Sequence, residues 1–412
     1  MHHRARVLVA GVLALTPVPA SAQPTVTFER ALEDAASSPE VRSFERARQV
    51  RSRADGAISD VTGWTQIWLQ PGWRALDERD QGYASQYYFT HAWTLADLAG
   101  AQRRAAATER ESLDASARQA ALRHRLTAAS AWVALFTHER LLVELAQQLA
   151  DAQASSATME RAATSGVRTR ADVAEAQAFA AEIEISLLAA EASATEARHV
   201  LAEAMGVAPD PGLATAGEPP APELPSLEAL RQGYADVDAL PEIEARRLSA
   251  LAMHLHADEV AAQFAPQLQL GIQLQNEAPS GFSAFGIAAL TFGLADLGAR
   301  SRAAALGEAE REEASIDTER VAAHRELEHA VHEVEHSRQE AEAVTLRLVP
   351  SLEALVAARD AALRAGAGTV FELVIARRRL AEARARSILA AGARTAAEIH
   401  AWLLLQAIGG ES

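Results

Sequence analysis

Apolar residues recur at alternating intervals of three and four positions between Val173 and Leu201. The average period is about 3.5 residues, which is typical of the seam of a coiled coil. Alanine occupies most of these positions, so the paired helices can approach each other closely. The preceding segment, from about Leu95 to Thr164, has no proline and is rich in strong helix formers. At about 1.5 Å per residue it would form a helix roughly 100 Å long, so the pattern predicts long helical hairpins.

A second pattern, the strict alternation of polar and apolar residues, interrupts the helical segments in each half of the chain. The alternation predicts a strand at about 267–276, and the apolar segment after the next turn predicts a second strand at about 282–292. In the first half, two aromatic-rich segments that flank a polar loop predict strands at about 62–70 and 83–94. Each segment has the length of a tilted strand that crosses a bilayer. We expect one face of the sheet to be apolar and the other polar. The polar positions include Gln267, Gln269, Gln273 and Gln275.

This helix-strand-strand-helix arrangement occurs twice. The sequence LADL stands at 95–98 and again at 294–297, and the segment 166–176 is matched by 366–376 with nearly the same offset. We therefore predict a mainly α fold with a small β part, built from two duplicated halves. The first half spans 23–205, a Pro- and Gly-rich linker spans 206–226, and the second half spans 227–412.

The matched segments each contain a helix stop followed by a helix start. A glycine can adopt the left-handed conformation that ends a helix. A threonine followed three residues later by an acid is a capping box, which begins one. Both segments therefore predict a tight reversal at the end of a long hairpin, at about 164–170 and 364–370. The residues are Gly166, Thr169 and Asp172 in the first tip, and Gly366, Thr369 and Glu372 in the second.

The first 22 residues have the features of a cleavable secretory signal. Basic residues precede an apolar run, and Ala20-Ser21-Ala22 fits a small-residue cleavage site. The chain contains no cysteine, which excludes a lipid anchor, disulfides, thiolate metal sites and cysteine nucleophiles.

Charge and motifs exclude further classes. The net charge is −16 and all 39 basic residues are arginine, so lysine chemistry is excluded and nucleic acid is a poor partner. We find no Gly-rich phosphate loop, no G-x-S-x-G and no H-E-x-x-H. The sequence therefore predicts that the protein is not an enzyme and needs no cofactor.

One cluster of residues raises the question of a metal site. His329, His332 and His336 fall on one face of a predicted helix, opposite an apolar stripe. We favour a solvated polar stripe, because zinc needs ligands that converge on it at about 2 Å. A transient metal site on these three histidines is the alternative.

Four strands in a mostly helical chain would leave an open sheet with two edges. In lipid, the N–H and C=O groups on those edges would have no partner. A membrane interpretation therefore requires a homo-oligomer in which each chain contributes four strands to a shared barrel. The competing interpretation of the alternation is a small soluble sheet whose aromatic residues form its core.

The signal, the duplicated halves, G-x-x-T-x-x-[DE] at both tips and LADL at both strand-to-helix junctions resemble the TolC-like outer membrane efflux proteins. The short length and missing lipid anchor look like the heavy-metal branch of that family. The resemblance implies a homotrimer whose twelve strands form a barrel in outer membrane lipid, with a helical tunnel extending into the periplasm of a Gram-negative bacterium. The four glutamines would line the barrel, and the tips would dock against a periplasmic adaptor. An inner membrane pump, of the RND type, would drive transport.

Two other functions remain open at this point. One is a secreted periplasmic coiled-coil scaffold or adaptor without a channel, although an adaptor usually has one hairpin between β-rich domains. The other is the outer membrane duct of a type I protein secretion system. The sequence does not distinguish export of drugs from export of metal ions or proteins, because a duct needs no substrate-shaped pocket.

Overall fold

The computed structural model describes residues 24–55, 63–77, 80–234, 236–277, 281–291 and 295–409. The predicted signal peptide, 1–22, lies outside the described residues. Six β-strands and nine α-helices are numbered here in chain order within the described part.

The helices build two long hairpins and a set of shorter elements around them. The short elements of the first half are α1 (Phe28–Ala36) and α2 (Pro39–Asp55). The first hairpin pairs α3 (Leu98–Thr164) with α4 (Arg170–Met205). The second half continues with α5 (Leu227–Gly233), a 3₁₀ turn (Val237–Ala239), α6 (Pro241–Gln263), α7 (Ala295–Glu342), α8 (Val349–Arg364) and α9 (Val370–Gly409).

The main sheet has four antiparallel strands in the order β2-β3-β5-β6, and within the described residues β2 and β6 are its free edges. Its strands are β2 (Gly63–Asp77), β3 (Asp80–Thr94), β5 (Gln267–Glu277) and β6 (Gly281–Thr291). Both halves of the chain therefore contribute one hairpin of strands to the same sheet. The strands β2 and β3 have 15 residues each, which is longer than the sequence pattern indicated. In β2 the alternation stops at Pro71 and Gly72, but the strand continues to Asp77.

Two three-residue strands form a separate small sheet. The strand β1 (Thr25–Thr27) pairs in parallel with β4 (Ala214–Ala216). The strand β4 lies inside the Pro- and Gly-rich segment 206–226. Glu139 on α3 fixes it there, because its carboxylate accepts hydrogen bonds from the backbone N–H of Thr215, at 3.3 Å, and from the Thr215 hydroxyl, at 2.5 Å.

The core beside this small sheet is centred on Trp132 of α3, which is 0% exposed. Its indole Nε1–H donates to the carbonyl oxygen of Val26 at 2.9 Å. Phe28 packs against its ring edge-on and Phe136 stacks on it, with centroids 5.5 Å and 5.6 Å away. An indole N–H needs such a partner when it is buried. Trp132 therefore joins the start of the described chain to the middle of the first hairpin.

The second hairpin has an irregular turn where the sequence predicts a kink. Pro350 removes one backbone donor and crowds the preceding turn. A π-helical segment, Ala343–Leu348, lies just before it between α7 and α8. The wider turn of a π-helix is a recognised way to accommodate such a disruption. The first arm of the second hairpin therefore consists of two helices, α7 and α8, and its second arm is α9. In the first hairpin the corresponding arm, α3, is one continuous helix.

Among the described helices, α9 alone is long and apolar enough, by length and composition, to cross a membrane. It packs against α3, α7 and α8, and its apolar residues are largely the alanines and leucines of those contacts. Buried Glu398 on α9 also accepts hydrogen bonds from Arg338 on α7, at 2.7 Å, and from Arg394, at 3.0 Å. We therefore interpret α9 as a packed hairpin helix.

Candidate functional site

The first hairpin tip is a helix stop joined directly to a helix start. Gly166 has φ +74°, and the N–H groups of Gly166 and Val167 donate to the carbonyls of Ala163 and Ala162. This is the Schellman arrangement, which satisfies the last carbonyls of α3. The Asp172 carboxylate accepts from the Thr169 N–H at 2.9 Å, and the Thr169 hydroxyl accepts from the Asp172 N–H at 3.2 Å. Both halves of the capping box are thus formed.

The second tip repeats this geometry 200 positions later. Gly366 has φ +76°, and the N–H groups of Gly366 and Ala367 donate to the carbonyls of Leu363 and Ala362. Thr369 and Glu372 again exchange backbone and side-chain hydrogen bonds, both at 3.3 Å. The six residues singled out by sequence therefore occupy two equivalent turns.

The two tips differ in the side chains that they present. The first helical residue after the cap is an exposed arginine, Arg170, in the first tip and a buried valine, Val370, in the second. Position 371 is an exposed phenylalanine, whereas position 171 is alanine. The first tip is therefore polar and basic, while the second is largely apolar, although their backbones match.

Replacing Asp172 with alanine is expected to fray the first turn of α4 without unfolding the hairpin. Loss of a capping interaction costs about 1 kcal/mol. Hydrogen exchange at the amides next to the cap should accelerate about fivefold, because the loss of about 1 kcal/mol makes local opening that much more frequent. The matched change in the second tip, Glu372→Ala, should fray the first turn of α9 and also remove the ion pair with Arg359 of α8, 3.4 Å away. Equal exchange rates before and after either change would contradict the assigned caps.

The predicted polar strand residues all lie on one face of the sheet. Gln267, Gln269, Gln273 and Gln275 alternate along β5, and each is half-buried. Residues directly opposite each other in an antiparallel sheet point to the same side. The residues opposite these glutamines on β3 therefore share their face, and these are Thr94, Ala92, Tyr88 and Gln86.

A hydrogen-bonded chain runs across this polar face. The Tyr88 hydroxyl donates to Gln86 Oε1 at 2.6 Å and accepts from Gln273 Nε2 at 3.0 Å. The sequence pattern predicts aromatic-rich strands in the first half but does not assign the face on which Tyr88 lies. The register between β3 and β5 supplies that assignment, because the two strands come from different halves of the chain and are separated by the whole first hairpin.

The opposite face of the sheet is apolar and exposed. It carries Ile67 and Leu69 from β2 together with the alternate residues of the other three strands. The further members include Tyr87, Phe89, Leu270, Ile272, Phe282 and Leu290. Soluble monomers rarely expose a continuous apolar surface of this kind. No other described element of the chain packs against it.

The three candidate metal-ligating histidines are exposed on one face of α7. The rings of His332 and His336 stack with centroids 6.1 Å apart, and His329 Nε2 lies 3.8 Å from a Glu333 oxygen. Within the described residues no group of three or more His, Asp or Glu side chains is arranged to hold an ion. The three histidines lie in a line along the helix, and both the solvated stripe and the transient metal site stay predictions.

Two other histidines, which sequence reasoning passed over, are partly buried in the helical part. Burial lowers the pKa of His138, whose Nδ1 has no hydrogen-bond partner. Burial also lowers the pKa of His400, with a further decrease from His329, while Glu326, 4.0 Å away, acts in the opposite direction. Both rings are therefore held neutral in the fold at pH values where an unfolded histidine is already protonated.

These two histidines predict that the helical part loses stability as the pH falls. A folded-state pKa below the unfolded value of 6.5 contributes stability above pH 6.5, and this is lost on acidification. The melting temperature should decrease between about pH 7.5 and about pH 5.5. The double change His138→Asn and His400→Asn should flatten that decrease, whereas His332→Asn on the exposed stripe should leave it unchanged.

The fold defines a class of protein: a sheet with one polar and one apolar face, continued by two long hairpins. The chain is similar to the solved outer-membrane channel OprN, with 17% identity, a TM-score of 0.75 and coverage of 92% of this chain and 89% of that one. CusC, whose solved structures concern folding and transmembrane channel formation, is also similar, with 15% identity, a TM-score of 0.70 and coverage of 92% of this chain and 91% of that one. For the outer membrane protein VceC of Vibrio cholerae the corresponding values are 19%, 0.67, 93% and 96%.

No protein-family model and no curated protein matches the chain. The structural likeness nevertheless extends over nearly the whole of each chain. The protein therefore has the TolC-like outer membrane channel fold, mainly α with a small sheet, as the sequence indicated.

Proposed function

We propose that the protein is the outer membrane exit duct of a tripartite efflux system and passively conducts small solutes or metal ions. The observation that carries this proposal is the four-stranded sheet, which exposes an apolar face, has a polar face opposite it and ends in two free edges. In a soluble monomer such a sheet would expose its apolar face to water and leave its edges unpaired, whereas both features fit one segment of a transmembrane barrel.

Closure of the barrel requires further copies of the chain. The free edge of β6 on one copy would pair with the free edge of β2 on the next, so that no backbone group is left unpaired in lipid. Three copies would give twelve strands, with apolar residues such as Leu69 and Ile272 toward outer membrane lipid. Gln267, Gln269, Gln273 and Gln275 would then face the water-filled lumen. A homotrimer is thus the assembly that we propose.

The hairpin tips would be the periplasmic entrance. The helix α3 has 67 residues, so at about 1.5 Å per residue a tip would lie roughly 100 Å from the sheet. Gly166, Thr169 and Asp172 in one tip, with the equivalent residues of the other, would dock against a periplasmic adaptor. An inner membrane pump of the RND type would supply the energy. The predicted signal, 1–22, would direct export.

A duct of this kind carries out no chemical step. Several structural neighbours are described as outer membrane channels, which supports a transport protein that is not an enzyme. The alternative of a scaffold without a channel is less consistent with the exposed apolar sheet face, which a soluble scaffold would have to cover.

Membrane fractionation combined with planar-bilayer recording tests the proposal. The full-length protein should be recovered in the outer membrane fraction, and the purified oligomer should give discrete single-channel currents. Native mass spectrometry should find three copies. Recovery as a soluble periplasmic monomer that gives no current would overturn the proposed function.

A further inference from the structure

We propose that an aromatic row on the polar face of the sheet, formed by Trp68, Tyr88 and Phe285, binds flat aromatic solutes, and aromatic cations most strongly. The inference rests on the proposed barrel, in which this face lines the lumen. It adds a solute-binding site to the lumen of the proposed duct.

The row is defined by the register of all four strands. Trp68 on β2 lies opposite Tyr88 on β3, Tyr88 lies opposite Gln273 on β5, and Gln273 lies opposite Phe285 on β6. Opposite residues in antiparallel strands share a face. Four side chains in one line across the sheet therefore project to the side that carries the glutamines, and three of them are aromatic.

The rings are available to a solute, and the central one is held in place. Trp68 is 59% exposed and Phe285 is 51% exposed. The Tyr88 hydroxyl is fixed between Gln86 and Gln273 by hydrogen bonds of 2.6 Å and 3.0 Å. A preorganised ring between two exposed rings loses little conformational entropy when a flat ligand stacks on it.

Barrel closure would extend the row. Trp68 lies on one free edge strand and Phe285 on the other. When β6 of one copy pairs with β2 of the next, the three rows become neighbours around the lumen. Phe285 of one copy and Trp68 of the next would then lie on the two strands that meet at each junction between copies.

The charge of the wall decides which solutes the row prefers. The residues 65–70, 85–94, 267–276 and 281–291 contain no Asp, Glu, Lys or Arg. Their one histidine, His91, pairs with Thr65 on the apolar face, where Nδ1 lies 2.8 Å from the Thr65 hydroxyl. Within these residues the polar face thus offers no carboxylate or imidazole to a metal ion. The next acidic position on β5 is Glu277, two residues beyond Gln275, at the end of the strand. It offers ring faces, which attract aromatic groups and cations.

Block of single-channel current measures this binding. The probes are tetraphenylphosphonium, which combines rings with one positive charge, and tetraethylammonium, which has the same charge and no ring. The test variant is Trp68→Leu with Phe285→Leu, which keeps apolar volume and removes both rings. The matched control is Leu69→Ala with Phe282→Ala, which alters the neighbouring residues on the apolar face.

We expect tetraphenylphosphonium to block the wild-type channel at lower concentration than tetraethylammonium. The two ring deletions should raise its half-blocking concentration about tenfold, from about 0.5–1 kcal/mol per ring contact. The control should leave it unchanged. If Trp68→Leu with Phe285→Leu fails to assemble, each single change should give a smaller shift, of about threefold.

Other outcomes overturn the inference and separate it from the proposed function. Equal block by the two cations, or a half-blocking concentration that is the same in wild type and ring-deleted channels, refutes the aromatic site while the duct stands. Block by Zn²⁺ that disappears with the ring deletions refutes the proposed selectivity. Absence of any wild-type channel current overturns the duct and, with it, the lumenal site.

Discussion

Replacing Gly271 with alanine is expected to reduce the yield of folded, membrane-inserted protein by about tenfold or more. A Cβ atom at this position in β5 would lie 2.4 Å from the carbonyl oxygen of Phe89 and 2.8 Å from the Cα of Thr90. These are backbone atoms of the neighbouring strand, so no side-chain rotation can relieve the overlap. Overpacking of this kind costs about 1–3 kcal/mol, and it would act on the contact that joins the two halves of the sheet.

A matched glycine on the adjacent strand supplies the control. Gly286 on β6 lies opposite Ile272, and a Cβ atom there would meet nothing within 4 Å. Gly286→Ala should therefore insert and assemble like the wild type. The measurement is the heat-resistant oligomer recovered from outer membranes. Equal recovery of Gly271→Ala and Gly286→Ala would contradict the close approach of β3 and β5 at this point.

The second large effect is expected from Trp132→Ala in the core of the helical part. The indole is fully buried, packs against Phe28 and Phe136, and donates to the Val26 carbonyl. Truncation of a buried tryptophan typically costs about 3–5 kcal/mol. It would also leave the Val26 carbonyl without its side-chain donor. The melting temperature should fall, and proteases should cut the segment around β1 and the β4 region first.

Two further variants distinguish lost packing from the lost hydrogen bond. Trp132→Phe keeps a ring between Phe28 and Phe136 but removes the hydrogen-bond donor. It should therefore lower the free energy of unfolding by about 1–2 kcal/mol, which is less than the effect of the alanine change. Val143 lies on the same helix and is 72% exposed, so Val143→Ala should have almost no effect. Comparable stability of Trp132→Ala and Val143→Ala would show that the core does not depend on this indole.

The structure and the sequence agree best where the information is local. Both tips could be read in advance, because a left-handed glycine followed by a capping box lies within seven consecutive residues. Gly166 and Gly366 adopt positive φ, and the partners Asp172 and Glu372 close both boxes. The coiled-coil spacing and the strand alternation are also local, and the mainly α fold with a small sheet follows from them.

Contacts between distant segments could not be read in the same way. The sequence of the linker shows no alternation, yet Ala214–Ala216 pairs with a strand almost 190 residues earlier. Three residues are too few to give an alternation, and the pairing depends on Glu139 and Trp132 in a helix between them. Nothing in the residues around Trp132 distinguishes its indole from the other tryptophans of the chain.

The sequence by itself determined the duplication, the long hairpins, their capped tips and the two-faced strands, since each depends on periodicity or on neighbours a few positions apart. Only the tertiary structure decided that β3 and β5 pair, that Trp68, Tyr88, Gln273 and Phe285 form one row, and that Gly271 lies against a backbone. The physical reason is register. A shift of one residue in pairing leaves each strand's own alternation unchanged but turns its whole side-chain set to the other face.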